Sequence, residues 1–355
     1  MPSRDRMGRS NFTIDVHAHV AVPSLTNLVE HASNYAEMKA TDALRYQDPA
    51  TKSHMASLSA EWQTRLTDIH GRLDWMNAEG ISVQVLSVNP GQYFYWAQPE
   101  LAEQIVLRTN TRLADICTQN PDRFISLGTV SLQHPELVAD QLDFAVSTLG
   151  MVGVQISTSA NGRELSNRQF DELWAVAERL GAVIFIHPLG CPQMVNRLVP
   201  AYLNNIVGQP LETTVALSHL IFGGVLDRFP RLRLCVAHGG GYLPGYLGRS
   251  DHGFEVRPDS KTMSRPPSEY LKRIWFDSLV YRQDTLRQLI NVAGINRVVL
   301  GTDSPFDMGV AEPLSNAGAL DCLDEAEMHA VLCSNSIELF SLTETGQHLK
   351  RLAKL

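Results

Sequence analysis

Short apolar, β-branched runs recur along the chain, and longer stretches whose apolar residues return every three or four positions separate them. The runs are Phe12 to Val16, Val83 to Val88, Phe124 to Val130, Val152 to Ile156, Val183 to Ile186, Leu232 to Ala237, Ile274 to Ser278 and Val298 to Leu300. Between them, sets such as Leu66, Ile69, Leu73 and Met76, or Leu137, Leu142, Val146 and Leu149, mark amphipathic helices. Buried strands alternating with such helices predict a parallel sheet with crossover helices. Eight of these units predict a closed (β/α)8 TIM barrel. A doubly wound open sheet is the rival, but no GxGxxG fingerprint follows the first strand.

The spacing is uneven. The first and second strands are separated by far more chain than most neighbours, which predicts an insertion over residues 21–62 lying as a cap on the carboxyl-end face. From Pro313 onward, Leu320, Met328, Val331, Leu332 and Ile337 predict C-terminal helices packed on the barrel. Residues 12–355 are thus expected to form one domain, after a polar, flexible stretch over 1–11. A chain of 355 residues with 44% hydrophobic and 19% charged content supports one large core.

The formal charge of −8 and a pI near 5.8 lack the basic footprint of a nucleic-acid binder, and no lysine- or arginine-rich run suggests a membrane surface. No apolar run approaches the ~18 residues of a membrane span. Five cysteines without a CxxC pair argue against a disulfide framework and for a cytoplasmic setting. Small molecules are the expected partners.

The chemistry gathers at strand ends. Asp15-Val16-His17-Ala18-His19 places two imidazoles two residues apart, on one face of an extended strand. Alone, this is a metal-ligand pair or merely two histidines at a polar strand terminus. His187 follows the fifth strand, His238 the sixth, and Asp303 the eighth. In a barrel these ends meet at one mouth. Three imidazoles and a carboxylate, His17, His19, His187 and Asp303, suit one divalent ion, Zn²⁺ first, with Mn²⁺ or Fe²⁺ acceptable. Strand four offers Gln155 and no lysine, which favours one metal over a bridged pair. Gly91 to Trp96 carries an aromatic cluster in which Trp96 is a candidate pocket residue.

The ordered pieces DVHAH, FIHP, VAHGGG and LGTDSPF, with FGGVLDRFP, LGR at 247–249 and RPPSEYL at 265–271, resemble the amidohydrolase superfamily. More narrowly, they resemble its decarboxylase branch, which includes 2-amino-3-carboxymuconate-6-semialdehyde decarboxylase. The resemblance runs from residue 12 to about 340. It implies that His17, His19, His187 and Asp303 are metal ligands and that His238 is the acid/base residue acting on metal-bound water. In related hydroxybenzoate decarboxylases the acid at the Asp303 position instead protonates the ring carbon, which makes Asp303 catalytic as well. The resemblance further implies that Arg249 binds a substrate carboxylate across a homodimer interface. A second arginine, from the cap, has no clean counterpart; Arg65 is the nearest candidate and Arg72 the next.

The reading that follows is a metal-dependent, non-oxidative decarboxylase of an unsaturated or aromatic carboxylic acid. The alternatives are a hydrolase or hydratase acting on a lactone, amide or unsaturated acid with the same metal hydroxide, and a metal-binding barrel without turnover.

Overall fold

The computed structural model describes residues 12–314 and 318–342; the stretch 1–11 expected to be flexible lies outside the described residues. Eight parallel strands follow one another around the sheet in chain order. They are β1 Ile14–Val20, β2 Val83–Val88, β3 Phe124–Gly128, β4 Gly153–Ile156, β5 Val183–Ile186, β6 Arg233–Val236, β7 Trp275–Asp277 and β8 Val298–Val299. Hydrogen bonds from Val16 N to Leu300 O (2.9 Å) and from Asp303 N to His17 O (2.8 Å) join the last strand to the first, closing a (β/α)8 barrel.

Strand parity builds two cores. Ile14, Val16, Val83, Val85, Val183, Phe185, Cys235 and Val299 pack together inside the barrel, closed by Leu339 and Phe340 of the C-terminal helix Asn335–Phe340. The alternate residues, among them Ile184, Ile186, Leu234 and Val236, face the helical ring. Following the inner parity past the end of β5 leads to His187, and along β7 to Asp277. In β1 the parity has to change, because Ile14 and Val16 take the inner face while His17 and His19 meet at the mouth. The register against β2 shifts between Asp15 and Ala18, and that irregularity supplies the change.

The insertion after β1 is helical. It holds α1 Ser24–Val29, α2 Tyr35–Ala43 and α3 Pro49–Thr67, followed by α4 Ile69–Glu79, which leads into β2. The face read through Leu66, Ile69, Leu73 and Met76 as one helix is two. Asp68 is extended (φ −84°, ψ 99°), and its side chain accepts from Gly71 N as the cap of α4. β1 also differs from its predicted span, running on through His19 instead of stopping at Val16.

Two of the motifs quoted above meet one another. Tyr270 of RPPSEYL donates its hydroxyl to Asp227 of FGGVLDRFP at 2.7 Å, and Ser264 donates its backbone N–H (2.8 Å) and hydroxyl (2.8 Å) to the same carboxylate. They tie the segment between β6 and β7 to the helix Val225–Arg228 that precedes β6.

Candidate metal centre

His17, His19, His187 and Asp303 converge from β1, the end of β5 and the end of β8. All are buried, and one ligand atom from each lies within 4.8 Å of the others. The outer nitrogen of each ring is fixed by a neighbour. His17 Nδ1–H donates to Asp277 Oδ2 at 2.7 Å, His187 Nδ1–H donates to Pro188 O at 2.8 Å, and His19 Nδ1 lies 3.2 Å from Ser87 Oγ. Ser87 in turn donates to Gln155 Oε1 at 2.6 Å. Each Nε2 is thereby left to face inward.

Those inward atoms crowd one another. His17 Nε2 is 3.1 Å from His19 Nε2, and Asp303 Oδ1 lies 3.1 Å from His19 Nε2 and 3.3 Å from His17 Nε2. His187 Nε2 is buried with no hydrogen-bond partner among the described residues. Lone pairs aimed at one another in a dry site repel unless a cation lies among them. Donor atoms each about 2.1 Å from a shared ion are separated by roughly 3.0 to 3.4 Å, so the spacing fits. The donor set is one a divalent metal accepts.

The electrostatics agree. Burial works against charge on His17, yet Asp303 and Asp277 outweigh it and push its pKa up to about 10. Burial lowers His19, and lowers His187 well below the ordinary imidazole value, keeping both neutral. Burial would raise Asp303, but the charge of His17 and contacts with His17, His19 and His238 hold it well below the usual carboxylate range. The two carboxylates that draw a proton to His17 would equally draw a metal cation.

His238 stands beside this group with a side chain 15% exposed, its Nε2 3.7 Å from Asp303 Oδ2. Both residues adopt left-handed backbone, φ 55° for His238 and 57° for Asp303, which L-residues hold only when their surroundings impose it. For His238 the following turn imposes it. Gly239, Gly240 and Gly241 also have positive φ, and a Cβ at Gly239 would lie 2.3 Å from Val280 Cγ1, one at Gly241 2.1 Å from Pro210 O.

Asp277 and Asp15, two acids the sequence reading passed over, anchor the centre. Asp277 Oδ2 holds His17 while Oδ1 accepts Gly239 N at 2.8 Å. Asp15 accepts from Thr302 Oγ1 (2.7 Å), Thr302 N (3.0 Å), Gln84 Nε2 (2.8 Å) and His17 N (3.1 Å), knitting β1 to β2 and β8. Asp277 sits at the end of the seventh strand, the same phase as the other site residues, and that phase was the available signal.

Of the other candidates, Arg72 bonds to the backbone of one ligand residue, His19. Arg249 is exposed on the helix Leu247–Val256. Arg65 is partly exposed on α3 and pairs with Glu61 at 3.2 Å. Arg72 is buried, its guanidinium donating to Gln84 Oε1 (3.0 Å), Arg65 O (3.2 Å) and the carbonyl of His19. Trp96 packs beside Tyr35 and Phe94 against the apolar side of α1, with ring centroids 6.2 and 5.9 Å away. The aromatic rings nearest the histidines belong instead to Phe185 and Phe306.

Comparison with known proteins places this geometry. The chain is 34% identical over 336 residues to 2-amino-3-carboxymuconate-6-semialdehyde decarboxylase of Dictyostelium discoideum, covering 93% of this chain and 91% of that one. Among solved structures, 2,6-dihydroxybenzoate decarboxylase in complex with 2,6-dihydroxybenzoate superposes with a TM-score of 0.75 at 26% identity, over 94% of this chain and 100% of that one. The 5-carboxyvanillate decarboxylase of Novosphingobium aromaticivorans, holding manganese and 4-hydroxy-3-methoxy-5-nitrobenzoic acid, gives 0.80 at 25% identity, over 94% and 97%. The amidohydrolase family profile matches residues 14–342, and the chain belongs to that family.

Proposed function

We propose that this chain is a metal-dependent, non-oxidative decarboxylase of aromatic or closely related unsaturated carboxylic acids. The observation that carries the reading is the convergence of three inward imidazole nitrogens and Asp303 in a chain whose named relatives above are decarboxylases. The hydrolase or hydratase alternative has no such support.

His17, His19, His187 and Asp303 would hold one divalent ion. The manganese in the carboxyvanillate enzyme favours Mn²⁺ over the Zn²⁺ expected from ligand type alone. When bound, the ion supplies a Lewis acid that orients substrate oxygens and stabilises the charge left as carbon dioxide departs. Breaking the carbon–carboxylate bond leaves its electron pair on the substrate carbon, which must gain a proton. His238 and Asp303 are the pair placed to move it, because both reach the mouth and their side chains lie 3.7 Å apart.

Residues 12–355 would act as one catalytic unit, with 21–62 as the cap. Arg249 would bind a substrate carboxylate of a second copy, in a homodimer; the exposed Tyr242 and Tyr246 beside it suit an interface. Arg65 and Trp96 would act through the cap. No helix among the described residues is long and apolar enough to cross a membrane; a cytoplasmic site rests on the cysteine pattern.

The test is product analysis. Metal-loaded protein incubated with hydroxybenzoic acids should release carbon dioxide and the matching phenol. Addition of water without loss of carbon would overturn the reading.

A further inference from the structure

The three inward imidazoles are backed by unlike partners. Behind His17 stands the carboxylate of Asp277, and behind His187 the carbonyl of Pro188. Both groups only accept, so each Nδ1 has to carry the proton. Behind His19 stands the hydroxyl of Ser87, 3.2 Å from Nδ1. A hydroxyl can give or take a hydrogen bond, so Ser87 alone would tolerate either tautomer of His19.

Gln155, on β4, removes that freedom. Its Nε2 donates to the backbone carbonyl of Val88 at 2.9 Å, and a carbonyl oxygen leaves the amide only one orientation. Oε1 is therefore the atom turned to Ser87, whose hydroxyl donates to it at 2.6 Å. The other acceptor near that hydroxyl, the carbonyl of Ala18, is 3.3 Å away, so the shorter bond takes the proton. What Ser87 presents to His19 is a lone pair, and Nδ1 supplies the hydrogen. The Val88 carbonyl acts on the His19 ring in the same sense. His19, Ser87 and Gln155 are all buried, so bulk water does not compete for these groups.

We propose that Gln155 is a positioning residue for metal binding: acting through Ser87, it holds His19 in the tautomer whose Nε2 lone pair faces His17 and Asp303. The polarity is set at the Val88 carbonyl and passed along the amide and the hydroxyl to the ring. The proposal rests on the reading of His19 as a metal ligand.

The experiment is a calorimetric titration of chelator-stripped protein with Mn²⁺, in wild type, Ser87→Ala, Gln155→Met, the double variant and Gln155→Glu. Without the Gln155 acceptor the Ser87 hydroxyl can turn its hydrogen to Nδ1, which places the imidazole proton on Nε2, where the ion has to bind. Gln155→Met should therefore weaken Mn²⁺ binding by at least about tenfold. With Ser87 gone the amide has nothing to act through, so adding Gln155→Met to Ser87→Ala should cost less than about a further twofold. Gln155→Glu keeps an acceptor toward Ser87 and should stay within threefold of wild type, which leaves a readable variant if Gln155→Met fails to fold. An equal loss from Gln155→Met with and without Ser87 would make Gln155 a packing residue and overturn the proposal. A tenfold loss in Gln155→Glu would overturn it too, as would affinities within twofold of wild type in both Ser87→Ala and Gln155→Met. Wild-type protein that takes up no Mn²⁺, or a His19→Ala variant that keeps the wild-type affinity, would instead overturn the reading of His19 as a ligand, and the proposal with it.

Discussion

Asp277 holds His17 from behind: Oδ2 accepts the Nδ1 proton at 2.7 Å, with both side chains fully buried. The same carboxylate accepts the N–H of Gly239, the residue after His238. One acid therefore sets both the orientation of a proposed ligand and the turn that presents the proposed proton carrier.

Replacing Asp277 by Asn keeps the size and removes the charge. Groups of this kind behind a metal-bound histidine contribute roughly 10- to 100-fold in metal affinity. Calorimetric titration of Asp277→Asn with Mn²⁺ should show a loss in that range. An affinity within twofold of wild type would remove Asp277 from this role.

His238 and His17 should separate cleanly. His238→Ala removes a proton carrier and leaves the ligands, so metal content should stay near wild type while turnover falls by about 10²- to 10⁴-fold. His17→Ala should lower metal occupancy first. Metal analysis beside initial rates distinguishes the two, and an unchanged rate in His238→Ala would contradict its assignment.

Arg72 is expected to act on stability. Its guanidinium donates to Gln84, Arg65 and His19, and a Met there would strand those buried acceptors at a cost of about 2 to 4 kcal/mol. Arg72→Met should lower the midpoint of denaturant unfolding while KM for an acid substrate changes less than twofold. A tenfold rise in KM with unchanged stability would make it a substrate arginine instead.

Much of this architecture is legible in the chain because the physics is local. Strands β2 and β5 coincide with their runs, since a strand buried on both faces is dominated by apolar residues; in β2 the buried Gln84 and Ser87 are hydrogen-bonded. His187 and His238 stand out because each directly follows such a run, and Asp303 because it comes three residues after one. Less visible is whatever depends on tertiary register. The parity change in β1 comes from its pairing with β2, and no local pattern encodes it. The break at Asp68 was missed because a residue able to cap a helix was read as one inside it. His54, which stands at no strand end, has its partner 253 positions away in Asp307. Trp96 was drawn from an aromatic cluster whose packing partners, Leu25 and Tyr35, belong to the insertion, the stretch with the weakest pattern.

The Asp227 tie should show in acid. Burial raises its pKa, but the bonds from Tyr270 and Ser264 outweigh this and leave it below the ordinary value. A depressed folded-state pKa stabilises the fold above the unfolded value, near pH 4, and that stability is lost as the pH falls through the folded one. The stability gap between wild type and Asp227→Asn should therefore be full at pH 7 and narrow below about pH 4. Denaturant unfolding at pH 7 and pH 3 checks this, and a gap that widens in acid would contradict it.

The most direct measurement is metal content against rate. Purified protein is stripped with chelator and titrated with Mn²⁺ while ion per chain and carbon dioxide release are followed together. The account predicts that release rises in proportion to occupancy and levels off at one ion per chain. Full activity in stripped protein, or saturation at one ion with His17, His19 and His187 all replaced by Ala, would contradict it.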